Sequence, residues 1–272
     1  IIMTRATTAT PHQVQAFAKR AWIQQGGMTL WLSALVGAGI GILALLGAGN
    51  VDMMPGMETM IPNQALHLAT VRDSLGEVQP SASYLLIMTP VLLGTLVGIV
   101  ATLTLPGVVA DDIHGGGIEV LLAGPIPRRR LFQSYLGASL ILTTASWAMA
   151  ATGFTTATIL VALTTGISVS VTFPFVAALL ILPLSLGIWS ATATLFGALL
   201  YPRSLESRAG MNGGPIRLLA IAPSLLAAPC LMLLHEWALP VLALIFSTTV
   251  AASALIVYLT ARGFRSTRVL DS

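Results

Sequence analysis

Apolar residues run along this chain in long unbroken blocks, and the charged residues fall between them. Ala21 to Val51, Val78 to Ala110, Leu131 to Pro202, Leu218 to His235 (histidine taken as neutral) and Trp237 to Ala261 contain no Asp, Glu, Lys or Arg. A helix that crosses a bilayer needs about 20 apolar residues, so four of these blocks hold one span each. The Leu131–Pro202 block has 72 residues. As one helix it would extend roughly 108 Å at 1.5 Å per residue, so it must fold back on itself. The turn is expected at Thr164-Thr165-Gly166-Ile167-Ser168, ahead of Phe173-Pro174, where polar residues and helix breakers gather. The pattern therefore predicts spans at Met28–Ala48, Ser83–Leu105, Gln133–Leu163, Val171–Leu200, Arg217–Leu234 and Leu239–Ala261. The expected fold class is an all-α polytopic membrane protein with six transmembrane helices.

Composition narrows the alternatives. The chain has 272 residues, 56% hydrophobic and 8% charged, where a soluble domain carries roughly 25% charge. Larger soluble domains bury only about 75% of the surface their unfolded chain exposes, so soluble enzymes are excluded. The single cysteine, Cys230, allows neither an internal disulfide nor a Cys-rich zinc site. The net charge of +3 does not indicate nucleic acid, because it reports where loops lie. With the N-terminus inside, Arg5, Lys19, Arg20, Arg128, Arg129, Arg130, Arg203, Arg208, Arg217, Arg262, Arg265 and Arg268 are cytoplasmic, and Arg72 alone is external. Lys and Arg are retained on the cytoplasmic side, so both termini are expected there. Tyr84, Tyr135, Tyr201, Tyr258, Trp22, Trp31 and Trp237 fall near span ends as an interfacial aromatic belt. Trp147 and Trp189 lie deeper and read as packing residues.

The segments between spans carry the remaining information. Residues 1–27 read as an N-terminal amphipathic interfacial helix rather than a cleaved signal. Thr10-Pro11 starts it, and Val14, Phe17, Ala18, Ala21 and Trp22 form its apolar stripe. Residues 28–272 then form the six-helix transmembrane domain. In the outer segment, Met53, Met54, Met57 and Met60 suggest soft packing at the membrane surface rather than a copper site. Asn63 to Glu77 is expected to form a short helix with Ala65, Leu68, Val71 and Leu75 on one face. Between the second and third spans, Gly115-Gly116-Gly117 ends one helix and a short apolar helix follows. Exposing Ile118, Val120, Leu121 and Leu122 there is costly unless the membrane surface or a partner covers them.

Several chemistries are missing from the sequence. The only lysine, Lys19, sits in Ala-Lys-Arg-Ala, so no GxxxxGK[ST] phosphate loop exists. His235-Glu236 lacks the second histidine of HExxH, and no GxSxG elbow occurs. Asp111, Asp112 and His114 form a thin ligand set for a divalent metal, the basis of an alternative reading as a metal-dependent membrane transferase. No acid or base lies mid-span, where ion-coupled carriers keep them. Energy from an ion gradient is therefore not indicated, and an ion-coupled secondary transporter stands as a further alternative reading.

The stretch Gly116, Ile118, Glu119, Leu121, Leu122, Ala123, Pro125, Ile126 and Arg128 resembles the signature region of ABC-2-type transporter permeases. The pattern there is E-x-G-T-L-E-L-L-L-A-x-P-[IV]-[ST]-R, between the second and third spans. Departures are His114 for an acid, Gly117 for Thr, Val120 for Leu and Pro127 for Ser or Thr. The resemblance extends to the plan of six spans with a leading amphipathic helix.

It implies a coupling helix from Gly116 to Leu122 that docks into a separate ATPase subunit, with Gly116, Ile118, Glu119, Val120, Leu121, Leu122 and Arg128 at or near the contact. ATP and Mg would bind that partner, none would bind this chain, and this chain would be non-catalytic. It further implies a second permease subunit, identical or homologous, in the bacterial cytoplasmic (inner) membrane. The function implied is export of a hydrophobic or amphipathic substrate such as a drug, lipid or metabolite. Gly37-xxx-Gly41 and Gly94-xxx-Gly98 permit close helix approach, either at a subunit interface or internally. The pathway is expected along the first, second and fifth spans, with Pro90, Thr95, Pro223, Ser224 and Pro229 as candidates.

Overall fold

A computed structural model describes residues 11–23, 27–46, 68–103, 109, 128–200, 218–223, 225–227 and 237–263. Helix α1 (Pro11–Ala21) precedes α2 (Gly27–Leu46), α3 (Pro80–Leu103), α4 (Arg128–Thr165) and α5 (Phe173–Leu200). These last four are long and apolar enough to cross a membrane. The last helix, α6 (Ala238–Gly263), carries a shorter apolar stretch at Ala243–Tyr258. Residues 218–223 and 225–227 are also helical.

Two strands, β1 (Ala69–Arg72) and β2 (Ser168–Val171), pair antiparallel, with Ala69 opposite Val171 and Arg72 opposite Ser168. The expected helix over 63–77 is therefore wrong wherever the structure describes it. Residues 69–72 are a strand, and Asp73 turns the chain by accepting the Leu75 and Glu77 N–H groups on Oδ1, each at 2.9 Å. Gly76 completes that turn at φ 86°, a left-handed conformation closed to a regular helix. β-branched Thr70 and Val71 suit a strand once β2 supplies a partner.

The same pairing corrects the fourth span. The turn falls where expected, at Gly166 with φ 70°, but residues 168–171 form β2 and the helix begins at Phe173 rather than Val171. The second span begins earlier than expected, at Pro80.

The sheet is amphipathic through its register. Ala69, Val71, Val169 and Val171 share one face, and Thr70, Arg72, Ser168 and Ser170 share the other. Ala69 and Val71 are fully buried against Leu45, Leu86, Phe154, Phe175 and Leu179. The sheet thus roofs one end of the bundle, and Thr70 and Ser170 bond to each other on its polar face.

At the opposite end Ala18 and Ala21 of α1 cluster with Leu30, Leu131, Phe132, Tyr135 and Leu195. The amphipathic stripe of α1 faces α4, with the Phe17 and Tyr135 rings 4.7 Å apart and Val14 against Gly137. Tyr135, expected in the aromatic belt, is consequently 1% exposed. Trp22, Trp31, Trp237 and Tyr258 are exposed as a belt requires.

These two end clusters fix the direction of each helix. α2 and α4 both run from the α1 end to the roof, and α3 and α5 both run back. The most extensive contacts join these parallel pairs, α2 on α4 and α3 on α5, rather than sequence neighbours. Small residues explain why. A Cβ on Gly37 would lie 2.3 Å from the Ala150 carbonyl oxygen, and one on Gly153 would lie 2.2 Å from that of Ala34. The backbones touch, so Gly37 and Gly41 serve internal packing. Gly94 likewise faces Leu186 and Pro183, and Gly187 faces Thr143 and Val97.

Helix α4 has 38 residues, roughly 57 Å, and its second half is rich in threonine. Thr152, Thr155, Thr156, Thr164 and Thr165 each donate their hydroxyl to a carbonyl three or four residues back. An otherwise unsatisfied hydroxyl is thereby paired inside its own helix, whatever medium surrounds it.

Candidate functional site

Pro223 has no N–H, so the carbonyl of Leu219 four residues earlier lacks its helical donor. A neighbouring helix makes up the loss. Trp189 Nε1 of α5 donates to the Leu219 oxygen at 3.3 Å, and Ser190 Oγ donates to the Ala220 oxygen at 2.9 Å. Ser190 is fully buried, so its bond is made away from competing water.

One turn further on lies a cavity of about 300 Å³, with Trp189, Pro223 and Leu226 facing Ile245, Thr249 and Ala252 of α6. Beyond it, Thr192 donates to Ser253 at 3.1 Å and joins α5 to α6. The Thr248 hydroxyl in the cavity wall donates to its own helix at Leu244, 2.7 Å away. No acidic or basic side chain is among the described residues lining the cavity. The described lining can hold an apolar group by contact with an indole face.

The expected pathway residues are only partly brought together. Pro223 lines the cavity. Pro90 is buried inside α3, and the Thr95 hydroxyl donates to Val91 at 2.9 Å; neither is among the described residues lining the cavity. Ser224 and Pro229 lie outside the described residues, as do Gly116, Ile118, Glu119, Val120, Leu121, Leu122, Asp111, Asp112 and His114. Arg128 is described only as the first residue of α4. Among the described residues, no three His, Cys, Asp or Glu gather as a metal site would require.

Trp189 and Ser190 were not legible as site residues. A signal existed in principle: Pro223 demands a donor for Leu219, and any Ser, Thr or Trp on an adjacent span qualifies. Which span is adjacent is a tertiary fact. A second polar feature, Ser33 bonded to Ser146 at 2.9 Å, is buried between α2 and α4.

At the roof, Asp73 is held below the ordinary carboxylate range. The Glu77 N–H contributes most; desolvation opposes it, and hydrogen bonds from Leu75, Gln79 and Gly76 add to the lowering. Its role is to close the turn after β1, as hydrogen bonds to the charged form favour that form.

Comparison with family models, with curated proteins and with solved structures finds no match for this chain.

Proposed function

We propose that this chain is the membrane-spanning permease subunit of an ATP-binding-cassette exporter in the bacterial cytoplasmic membrane. It crosses the membrane six times with both termini cytoplasmic. A separate ATPase subunit supplies the energy, a second permease subunit completes the transporter, and the substrate is hydrophobic or amphipathic.

One structural observation supports the six-crossing plan. α5 and α6 lie side by side and parallel, since Leu182 shares a cluster with Ile245 and Thr192 bonds Ser253. Two parallel helices in one chain require a return between them. Residues 218–223 and 225–227 run in that direction, because Ala220 meets Ser190 while Ala227 clusters with Leu182. The end of α6 reaches the α1 end, where Val257 packs against the cluster that holds Ala18 and Ala21. The described spans carry basic residues at that end in α1 and in the first turn of α4, in keeping with a cytoplasmic assignment. The Gly116–Leu122 motif supports a docked ATPase.

Affinity purification of the chain from its native membrane tests the reading. An ATP-hydrolysing subunit is expected to co-purify, and Glu119→Arg with Leu121→Asp is expected to reduce its recovery at least tenfold at unchanged permease yield. Unchanged recovery would overturn the docking assignment. Transport that persists without ATP and collapses with an ion gradient would overturn the exporter.

A further inference from the structure

Between α4, α5 and the sheet lies a second cavity, of about 440 Å³. This lies in the range of sites that take drug-sized ligands, about 300–1,000 Å³. α4 and α5 approach closely at Thr143 and Gly187, and the cavity fills the space between them nearer the roof. Its closed side is formed by Leu86, Phe154 and Phe175, all fully or almost fully buried, and its roof by Val169 and Val171. Its mouth opens sideways past Ile159 and Leu163, which are 58% and 77% exposed.

The chemistry of the lining limits what enters. Its polar atoms are the hydroxyls of Thr155 and Thr158, and both already donate to α4 carbonyls, at Ala151 and Phe154, each at 2.8 Å. No charged side chain is among the described lining residues. The inserted group therefore finds no free hydroxyl donor and no ion pair there, only two threonine oxygens able to accept, and the rest of the described lining favours an apolar group. The mouth lies on the apolar flanks of two helices long enough to cross a membrane, and where those flanks are embedded it would meet hydrocarbon rather than water. Directly above the roof the sheet turns Thr70, Arg72, Ser168 and Ser170 outward, a polar rim at the level where a headgroup would rest.

We infer that this wedge is a binding site for an acyl chain of a membrane amphiphile, with the polar group of that amphiphile at the rim of the sheet. The inference rests on the membrane character of the helices and not on the exporter reading.

The test places the full chain in phosphatidylcholine nanodiscs containing a phospholipid with a photoactivatable diazirine on its acyl chain, followed by peptide mapping. Crosslinks are expected on 154–163 and 175–179 and to saturate with probe. Ala162→Phe and Val176→Trp, which fill the wedge from opposite walls, are each expected to lower them at least fivefold. Labelling of the exposed α2 face at Leu35 and Leu43 is expected to rise linearly with probe and to ignore both substitutions. Linear, unsaturable labelling of the wedge would overturn the site, as would unchanged labelling in a folded filling variant. Either variant suffices if the other does not fold.

Discussion

The α2–α4 seam and the α5–α6 side of the bundle both hold apolar helices together, by opposite means. In the seam, Gly37 and Gly153 bring one backbone onto the carbonyls of the other, and Ser33 bonds Ser146 in the dry contact. On the other side, Trp189 and Ser190 reach across to carbonyls near Pro223, and a cavity of about 300 Å³ remains. Hydrocarbon solvates an apolar side chain as well as a neighbouring helix does, so association there depends on close packing and hydrogen bonds. Close packing gives a joint that cannot shift without losing contact everywhere. Side chains reaching to a proline-interrupted stretch give one that can yield one bond at a time. On this packing argument the α2–α4 seam is expected to be the more rigid half of the molecule and the side beside Pro223 the more adjustable.

The largest expected effect strikes the rigid half. Gly37→Val has no room beneath the Ala150 carbonyl, and overpacking of this kind costs about 1–3 kcal/mol or more. Thermal melts in detergent should show a marked loss of stability. Gly39→Ala is the control: nothing lies within 4 Å of its Cβ position, and replacing a helical glycine gains up to about 1 kcal/mol. Equal losses at both positions would dissolve the distinction.

The adjustable half responds less and in a way that can be rescued. Trp189→Phe leaves the Leu219 carbonyl without its indole donor, at a cost of about 1 kcal/mol. In a Pro223→Ala background an N–H at position 223 serves that carbonyl, so the cost should shrink toward zero. A double-mutant cycle on melting temperature reads the difference. An identical cost in both backgrounds would show that Trp189 acts by packing alone.

Smaller again is the hydroxyl pair in the seam. Interhelical hydrogen bonds between membrane helices average about 0.6 kcal/mol by double-mutant cycle, and Ser33→Ala with Ser146→Ala should couple by that amount. Thr192 and Ser253 form the matching pair on the adjustable side. If the seam pair couples no better than the Thr192 pair, close packing rather than the hydroxyls distinguishes the two regions.

The smallest effect lies at the roof. The folded-state pKa of Asp73 is lowered, so its contribution is fully present above the ordinary carboxylate value, near 3.8. It is lost as pH falls through the depressed value. Amide exchange at Leu75 and Glu77, corrected for its intrinsic pH dependence, should hold steady protection from pH 7 to pH 5 and lose it only in stronger acid. Asp73→Asn should abolish that step. A step near neutral pH would point to another group.

Much of this architecture could be read before any fold was known. Lack of charge over Leu131–Pro202 and the polar cluster at Thr164–Ser168 located the α4–α5 turn, and Gly166 adopts the left-handed conformation there. Local chemistry sufficed because a breaker acts on its own backbone. The stretch 68–77 defeated the same logic. Leu68, Val71 and Leu75 fit a helical face, yet β2, about 100 residues away in sequence, captures Ala69–Arg72 as a strand. Four residues have too weak an intrinsic preference to resist a partner. Tyr135 failed for a related reason, since α1 folds over it.

The sequence alone determined that long uncharged helices form, roughly where they end and which termini carry the arginines, because these follow from the cost of burying charge in an apolar medium. It also placed Pro223 inside the fifth expected span. Only the tertiary structure decided that α2 pairs with α4 and α3 with α5, that Trp189 and Ser190 serve the carbonyls near Pro223, and that a sheet closes one end. Those choices depend on which helices stand next to one another. The apolar faces fit many neighbours about equally well, and a few glycines and hydroxyls select among them.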